Sequence, residues 1–374
     1  MAAITPVRMP KWGLSMQEGK IVDWWKAEGA EVREGEDLVD IETAKINNVF
    51  EAPASGVLRR IVARPGDTLP VGALIAVLAG GEAADAEIEA FIAEFQANFT
   101  PEDEDADGLG LQLSTIKADG RSMRIGRAGA GEGPPVVLIH GYASDLNSWA
   151  FNIPALAAQR AVLALDLPGH GASDKDVGGG SLAELIQAVA ALLDAEGIAR
   201  AHLVGHSLGA AVALVLAAER PGFAASLTLI APACLPGGRL NEEFLTGVAE
   251  AQRAKDLKPL LEMLTADPGV VTREMVEDVA KSKRLDGAEE ALTAISRSLL
   301  SGSDCELARA RLSQAGPAVV IASHRDRIVG APDEGALPDG FEVVWIDEAG
   351  HLPHLERAAE VNAILLRQMA RDRR

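Results

Sequence analysis

The sequence predicts two folded regions of different class: a small all-β domain over residues 1–80, a flattened antiparallel barrel or sandwich, and an α/β domain over residues 111–374 with a mostly parallel sheet and a helical lid. Three observations lead there. The first eighty residues contain an internal repeat, an acidic stretch follows at 81–110, and beyond it short apolar runs alternate with helical segments. At 374 residues the chain exceeds one average domain of roughly 150 residues. Hydrophobic residues at 48% and charged residues at 24% match globular proteins and exclude wholesale disorder.

In the first region, residues from 19 onward align with residues from 56 onward at a constant offset of 37. Gly19 falls on Gly56, Gly29 on Gly66, Val32 on Leu69, Gly35 on Gly72, Leu38 on Ile75 and Ile41 on Leu78. Both halves are short β-type runs punctuated by glycine turns, which reads as two similar antiparallel units packed together. The halves are joined through Ile41 to Val49, a polar tip between two strand-like runs, so Lys45 is expected to protrude on a hairpin. The bland alternative is an ordinary solvated turn lysine. This region resembles the lipoyl domains of 2-oxo acid dehydrogenase complexes from Met9 to about Ala79, through Met9-Pro10, Glu18-Gly19 and Glu42-Thr43-Ala44-Lys45, with Ala44 where that family has Asp or Ser. Biotinyl domains share the fold but flank their lysine with methionines, which Ala44 and Ile46 do not match. The resemblance implies lipoate joined covalently to Lys45: the amide removes the ammonium charge and leaves a long arm whose disulfide can be reductively acylated.

Residues 81–110 hold ten carboxylates and no cation, half of the formal net charge of −20, and read as a self-repelling linker. Within it Ala84, Ile88, Phe91, Ile92, Phe95 and Phe99 recur at helical spacing, so one amphipathic helix is expected. Its apolar side is expected to bury on the C-terminal domain or in a groove of another subunit. The run Pro101 to Asp107 is expected to be mobile.

In the second region Val136 to Ile139, Ala161 to Leu165, Ala201 to Val204, Leu227 to Ile230 and Ala318 to Ile321 are apolar runs suited to strands buried on both faces, with helical segments between. After the third run stands Gly205-His206-Ser207-Leu208-Gly209, the Gly-x-Ser-x-Gly pattern leading into an Ala- and Val-rich helix. A serine hydroxyl is a poor nucleophile without a base, so a histidine and an orienting acid must accompany it. Asp326, past the Ala318 run, and His351, past a strand at Phe341 to Ile346, lie in that order. Asp347 competes with Asp326 but precedes His351 by only four residues. His140-Gly141-Tyr142 would set the Tyr142 backbone N–H opposite that of Leu208 as an oxyanion pair. With Asp166 to Ser173, these motifs resemble the α/β-hydrolase superfamily over about Leu111 to Met369; Ser323 stands where that pattern has glycine three residues before the acid. Residues from about 236 to 312 interrupt the rhythm with helices and are expected to form the lid. Its Arg253, Lys255, Lys258, Lys281, Lys283 and Arg284 either attract an anionic substrate or form a solvated face.

Several classes are excluded. No basic stripe offsets the acidic charge, so nucleic acid is not an expected partner. The longest apolar stretch, Ala210 to Ala218, is nine residues against the roughly 20 a membrane span needs. Cys234 and Cys305 are too few for a disulfide framework, Arg8 and Lys11 precede no apolar segment, and a cytoplasmic location is expected. No metal-ligand spacing such as His-Glu-x-x-His occurs, and no metal is expected.

A lipoyl-like carrier joined to a serine α/β-hydrolase resembles the acetyltransferase component of bacterial acetoin dehydrogenase (acetoin-cleaving) systems. That resemblance implies transfer of acetyl from acetyl-dihydrolipoyl-Lys45 to coenzyme A. It implies thiamine-diphosphate-dependent acetoin-cleaving subunits and dihydrolipoyl dehydrogenase as partners, and a homo-oligomer. The basic peripheral-subunit-binding domain and the His-x-x-x-Asp-Gly motif of the pyruvate dehydrogenase acyltransferase are missing. Two other readings are a lipoyl-tethered esterase or thioesterase, since the triad serves water as readily as thiol, and a carrier or scaffold with a silent hydrolase fold.

Overall fold

The computed structural model describes residues 4–10, 18–42, 47–80, 83–99 and 111–371, and the chain divides into two compact units, Met1–Leu109 and Gly110–Arg374. In the first unit β1 (Ile4–Arg8), β2 (Glu18–Trp24), β3 (Glu31–Val32), β4 (Asp37–Glu42), β5 (Asn47–Glu51), β6 (Gly56–Ile61), β7 (Thr68–Pro70) and β8 (Leu74–Ala79) make two four-stranded sheets, ordered β1-β8-β6-β3 and β5-β4-β2-β7. A shift of 37 residues carries β2, β3 and β4 onto β6, β7 and β8. The short strands are exchanged between the halves, β3 pairing with β6 and β7 with β2, all antiparallel. Matched glycines take matched turns: φ is +89° at Gly29 and +96° at Gly66, +78° at Gly35 and +80° at Gly72, a region most side chains avoid. Ile21, Leu38, Ile41, Leu58, Ile75 and Leu78 fill the core.

The expected helix, α1 (Asp85–Asn98), finds a seat that the sequence reading did not offer: it packs on β8 of its own β-domain. Ile88 and Ile92 cluster with Leu74, Val77 and Ala79, while Arg59–Asp85 and Arg60–Glu89 ion pairs at 2.8 and 2.6 Å fix its rim. The Arg8 guanidinium lies 4.9 Å from the centre of the Phe95 ring. Exposed ion pairs contribute at most about 1 kcal/mol each, so the apolar seat decides the docking. The run 101–107, expected to be mobile, lies outside the described residues.

The second unit begins with β9 (Gln112–Ala118) and β10 (Arg121–Ala128), an antiparallel hairpin absent from the sequence reading. Its signal was there: Asp119-Gly120 joins two β-type runs, and both take positive φ, +50° and +76°, as a two-residue hairpin turn requires. Then come β11 (Val136–Ile139), α2 (Ile153–Ala157), β12 (Val162–Leu165), α3 (Leu182–Ala195), β13 (Ala201–His206), α4 (Leu208–Glu219) and β14 (Ala224–Ile230). A helical insertion follows: α5 (Glu242–Glu250), α6 (Ala254–Leu261), α7 (Arg273–Lys283), α8 (Ala288–Ser301) and α9 (Ser303–Arg311). The chain returns through β15 (Ala318–Ala322) and β16 (Phe341–Trp345) and ends in α10 (Pro353–Glu356) and α11 (Ala358–Arg371). The eight-stranded sheet runs β16-β15-β14-β13-β11-β12-β10-β9, parallel from β16 to β12. β13 and α4, which flank the candidate nucleophile, are buried at every position up to Ala218, which is why α4 reads as an uninterrupted apolar run and β13 as a short, mostly apolar one.

Two features organise the insertion. Cys234, just after β14, and Cys305, in α9, form a disulfide with Cα atoms 4.4 Å apart, so the two cysteines bracket α5 to α8. The Lys283 Nζ donates to the carbonyls of Val248, Ala249 and Ala251 and so caps the C-terminal end of α5. Arg253, Lys258 and Lys281 pair with Asp256, Glu262 and Asp278 on their own helices. The basic residues of this region therefore act largely within it, as a solvated face does.

Candidate active site

Ser207 stands where β13 ends and α4 begins, with φ +52° and ψ −114°. This left-handed backbone in a non-glycine residue turns the chain sharply from strand to helix. The flanking glycines serve close packing rather than unusual dihedrals. A Cβ on Gly205 would lie 2.3 Å from the Gly209 carbonyl oxygen, and one on Gly209 would lie 2.3 Å from the carbonyl oxygens of Ile139 and His140. The Ser207 N–H donates to Ile230 O at 2.9 Å and its carbonyl accepts from Ala233 N at 3.1 Å, so β14 and its following loop pin the elbow.

The strap after β11 passes directly over this serine. A Cβ on Gly141 would sit 3.0 Å from Ser207 Cβ and 2.8 Å from His206 Nδ1, so only glycine fits. His140 Nδ1 lies 2.7 Å from Gly141 O, and its Nε2 accepts from Leu167 N at 2.9 Å, which assigns the proton to Nδ1. Burial pushes the His140 pKa down to about 4, so this anchor is neutral. The Tyr142 hydroxyl lies 3.1 Å from both Leu245 O in α5 and Leu292 O in α8. Among the described residues no acceptor is hydrogen-bonded to the backbone N–H of Tyr142 or Leu208.

Asp326 and His351 meet: His351 Nδ1 is 2.8 Å from Asp326 Oδ2, with both side chains almost fully buried. Asp326 Oδ1 accepts from Ile328 N and Val329 N at 2.8 and 3.1 Å. Burial alone would raise the Asp326 pKa, but the His351 ring beside it and its hydrogen bonds outweigh burial and hold the carboxyl below its ordinary value. The histidine is itself fixed: its backbone N–H donates to Leu264 O at 2.7 Å, and its carbonyl lies 2.8 Å from His206 Nε2. His206 thus ties the histidine loop to the residue beside Ser207, the two imidazole rings lying 4.8 Å apart. Asp347, the competing acid, is engaged elsewhere. It is exposed and bonded to His324 Nδ1 at 2.6 Å, and His324 in turn stacks on Trp345 at 3.9 Å.

Lys45 lies outside the described residues. The flanking strands β4 and β5 pair antiparallel through Ile41↔Asn48 and Glu42↔Asn47.

Comparisons with known proteins agree with both halves. A family described as "Biotin-requiring enzyme" matches residues 5–78, and "Alpha/beta hydrolase family" matches residues 136–364. The "Dihydrolipoyllysine-residue acetyltransferase component of acetoin cleaving system" of Pseudomonas putida is 45% identical over 366 residues, 98% of each chain. The protein of the same description from Cupriavidus necator is 40% identical over 368 residues, 98% of this chain and 97% of the other. Among solved structures, a meta-cleavage product hydrolase from Pseudomonas fluorescens covers 69% of this chain and 97% of its own at TM-score 0.61 and 21% identity. A 2-hydroxy-6-oxo-6-phenylhexa-2,4-dienoate hydrolase from Rhodococcus covers 70% of this chain and 99% of its own at TM-score 0.62 and 24% identity, a likeness of fold.

Proposed function

The chain belongs to the family of dihydrolipoyllysine-residue acetyltransferase components of acetoin cleaving systems, and from that membership we propose that Ser207, His351 and Asp326 pass acetyl from dihydrolipoyl-Lys45 to coenzyme A. The observation that carries this reading is the buried His351–Asp326 pair, bonded at 2.8 Å and tied through His206 to the elbow that presents Ser207. Lipoate in amide linkage to Lys45 supplies the sulfur that carries acetyl as a thioester substrate.

Asp326 holds the proton of His351 on Nδ1, which leaves Nε2 to act as base. His351 takes the Ser207 proton as Oγ bonds to the thioester carbonyl carbon. The developing oxyanion faces the backbone N–H groups of Tyr142 and Leu208 at the N-terminus of α4, where negative charge is favoured. Collapse breaks the carbon–sulfur bond, the leaving thiolate takes the proton from His351, and acetyl remains on Ser207. The coenzyme A thiol then gives its proton to His351 and attacks the ester; Ser207 leaves with that proton. In the alternative route the thiol attacks the thioester directly with His351 alone as base. The helical insertion serves as a lid over this site. The partners we infer are thiamine-diphosphate-dependent acetoin-cleaving subunits and dihydrolipoyl dehydrogenase, in a cytoplasmic complex in which this chain is a homo-oligomer.

The test is acetyl-coenzyme A formation by lipoylated full-length protein. Ser207→Ala and His351→Ala are each expected to lower kcat by about a thousandfold or more, since residues acting as one unit fail together, while reductive acetylation of Lys45 persists. Retention of most of the rate by Ser207→Ala alone selects direct thiol attack. Full transfer by the double variant sinks the catalytic reading, and acetate as the main product selects the hydrolase.

A further inference from the structure

We propose that Ser323 is a positioning residue for the acid and base of this site, through a hydroxyl that braces the loop carrying Asp326 against the loop carrying His351. The inference rests on the reading of those two residues as catalytic. β15 and β16 run side by side, and their last ladder bond runs from Ile346 N to Ala322 O at 2.9 Å. Beyond it the two chains diverge into loops, one presenting Asp326 and the other His351. Ser323, only 2% exposed, stands at that fork.

Its hydroxyl makes two bonds with opposite roles. It accepts from Arg325 N at 3.0 Å, closing the turn that aims Asp326, and it donates to Ala349 O at 2.5 Å, two residues before His351. No other donor reaches Ala349 O among the described residues, and Ala349 is fully buried. The two loops are therefore joined by successive rungs: the Ala322–Ile346 ladder bond, the Ser323–Ala349 brace and the Asp326–His351 bond. Each rung sets the separation available to the next. Glycine, the residue expected at this position, has no hydroxyl, so this chain carries a rung that the general pattern lacks. An acid and imidazole that drift apart by a few tenths of an ångström weaken a charge-assisted bond steeply and loosen the imidazole orientation.

The experiment is a double-mutant cycle on lipoylated full-length protein, reading acetyl transfer to coenzyme A well below the unfolding temperature. Ser323→Ala is expected to lower kcat about tenfold with KM within twofold, and to broaden or shift the low-field proton signal of the His351–Asp326 hydrogen bond. In an Asp326→Asn background, where the charge-assisted bond and the tautomer it fixes are already lost, Ser323→Ala is expected to cost less than twofold. A tenfold loss that persists unchanged beside Asp326→Asn, or no loss in either background, overturns the proposal. An Asp326→Asn variant with full activity refutes the triad reading instead, which separates the two failures.

Discussion

Ser207 holds a backbone conformation that costs of order 1–3 kcal/mol for a non-glycine residue, and hydrogen bonds from β14 and the loop after it over-determine it. The Gly-x-Ser-x-Gly pattern makes the elbow legible in the sequence, but not the close contacts of its glycines: Gly205 against the first turn of α4, and Gly209 against the end of β11. Histidines were harder to sort. His354 is buried between Trp149 and His206, with ring centres 4.8 and 4.4 Å away. Neither of its nitrogens has a hydrogen-bond partner among the described residues. Burial, aided by His351, pushes its pKa down to about 3, against roughly 6.5 unfolded. Between those values the unfolded chain binds the proton and the folded one does not. The stability from the neutral ring is thus complete above about pH 6.5 and is lost as pH falls toward 3. His354→Phe, which keeps the ring packing, is expected to flatten the acid slope by about 1.4 kcal/mol per pH unit between pH 5 and 6. Urea midpoints of wild type and variant across that range check it; parallel slopes would mean that His354 does not titrate on unfolding.

The β8 strand explains where α1 sits, and the evidence lies in the repeat itself. At the offset of 37, Asp37, Asp40 and Glu42 of β4 correspond to Leu74, Val77 and Ala79 of β8. One half shows water a polar outer face; the other replaces it with the apolar residues that α1 covers. Helical periodicity announces that a helix has an apolar side, but which surface receives it depends on a match between two faces. Here the match was readable only by comparing the halves position by position. A fragment of residues 1–99 is therefore expected to unfold at a higher temperature than one of residues 1–80. Burial of Ile88 and Ile92 contributes roughly 1.5–3 kcal/mol each before ordering costs, which for a domain this small amounts to about 10 °C or more. Thermal unfolding of the two fragments decides it, and equal midpoints would mean that α1 contributes nothing to this domain.

Across the whole molecule, the α/β alternation is legible because strands buried on both faces read as short, mostly apolar runs, whereas the half-exposed β9–β10 hairpin has a weaker pattern. Sequence spacing favours Asp326 over Asp347 as the partner of His351, and His351 Nδ1 lies 2.8 Å from Asp326 Oδ2, with Ser323 and Ala349 at the fork between the two loops. The pairing of Cys234 with Cys305 is hidden at the level of sequence, because the two lie 71 positions apart. Closing a loop of that length contributes about 4 kcal/mol in the chain-entropy description. Reductant is expected to lower the melting temperature of the C-terminal unit by roughly 10 °C and to raise its denatured thiol titre from zero to two. An unreduced protein that already titrates two thiols would refute the bond. The same bond changes what a broken chain means. With residues 234 and 305 joined, a protease that cuts once anywhere among α5 to α8 opens a ring without releasing a piece. Both fragments travel as one molecule of unchanged mass, save for one added water, until thiols separate them, so a cleaved insertion stays tethered at both ends to the sheet that carries Ser207.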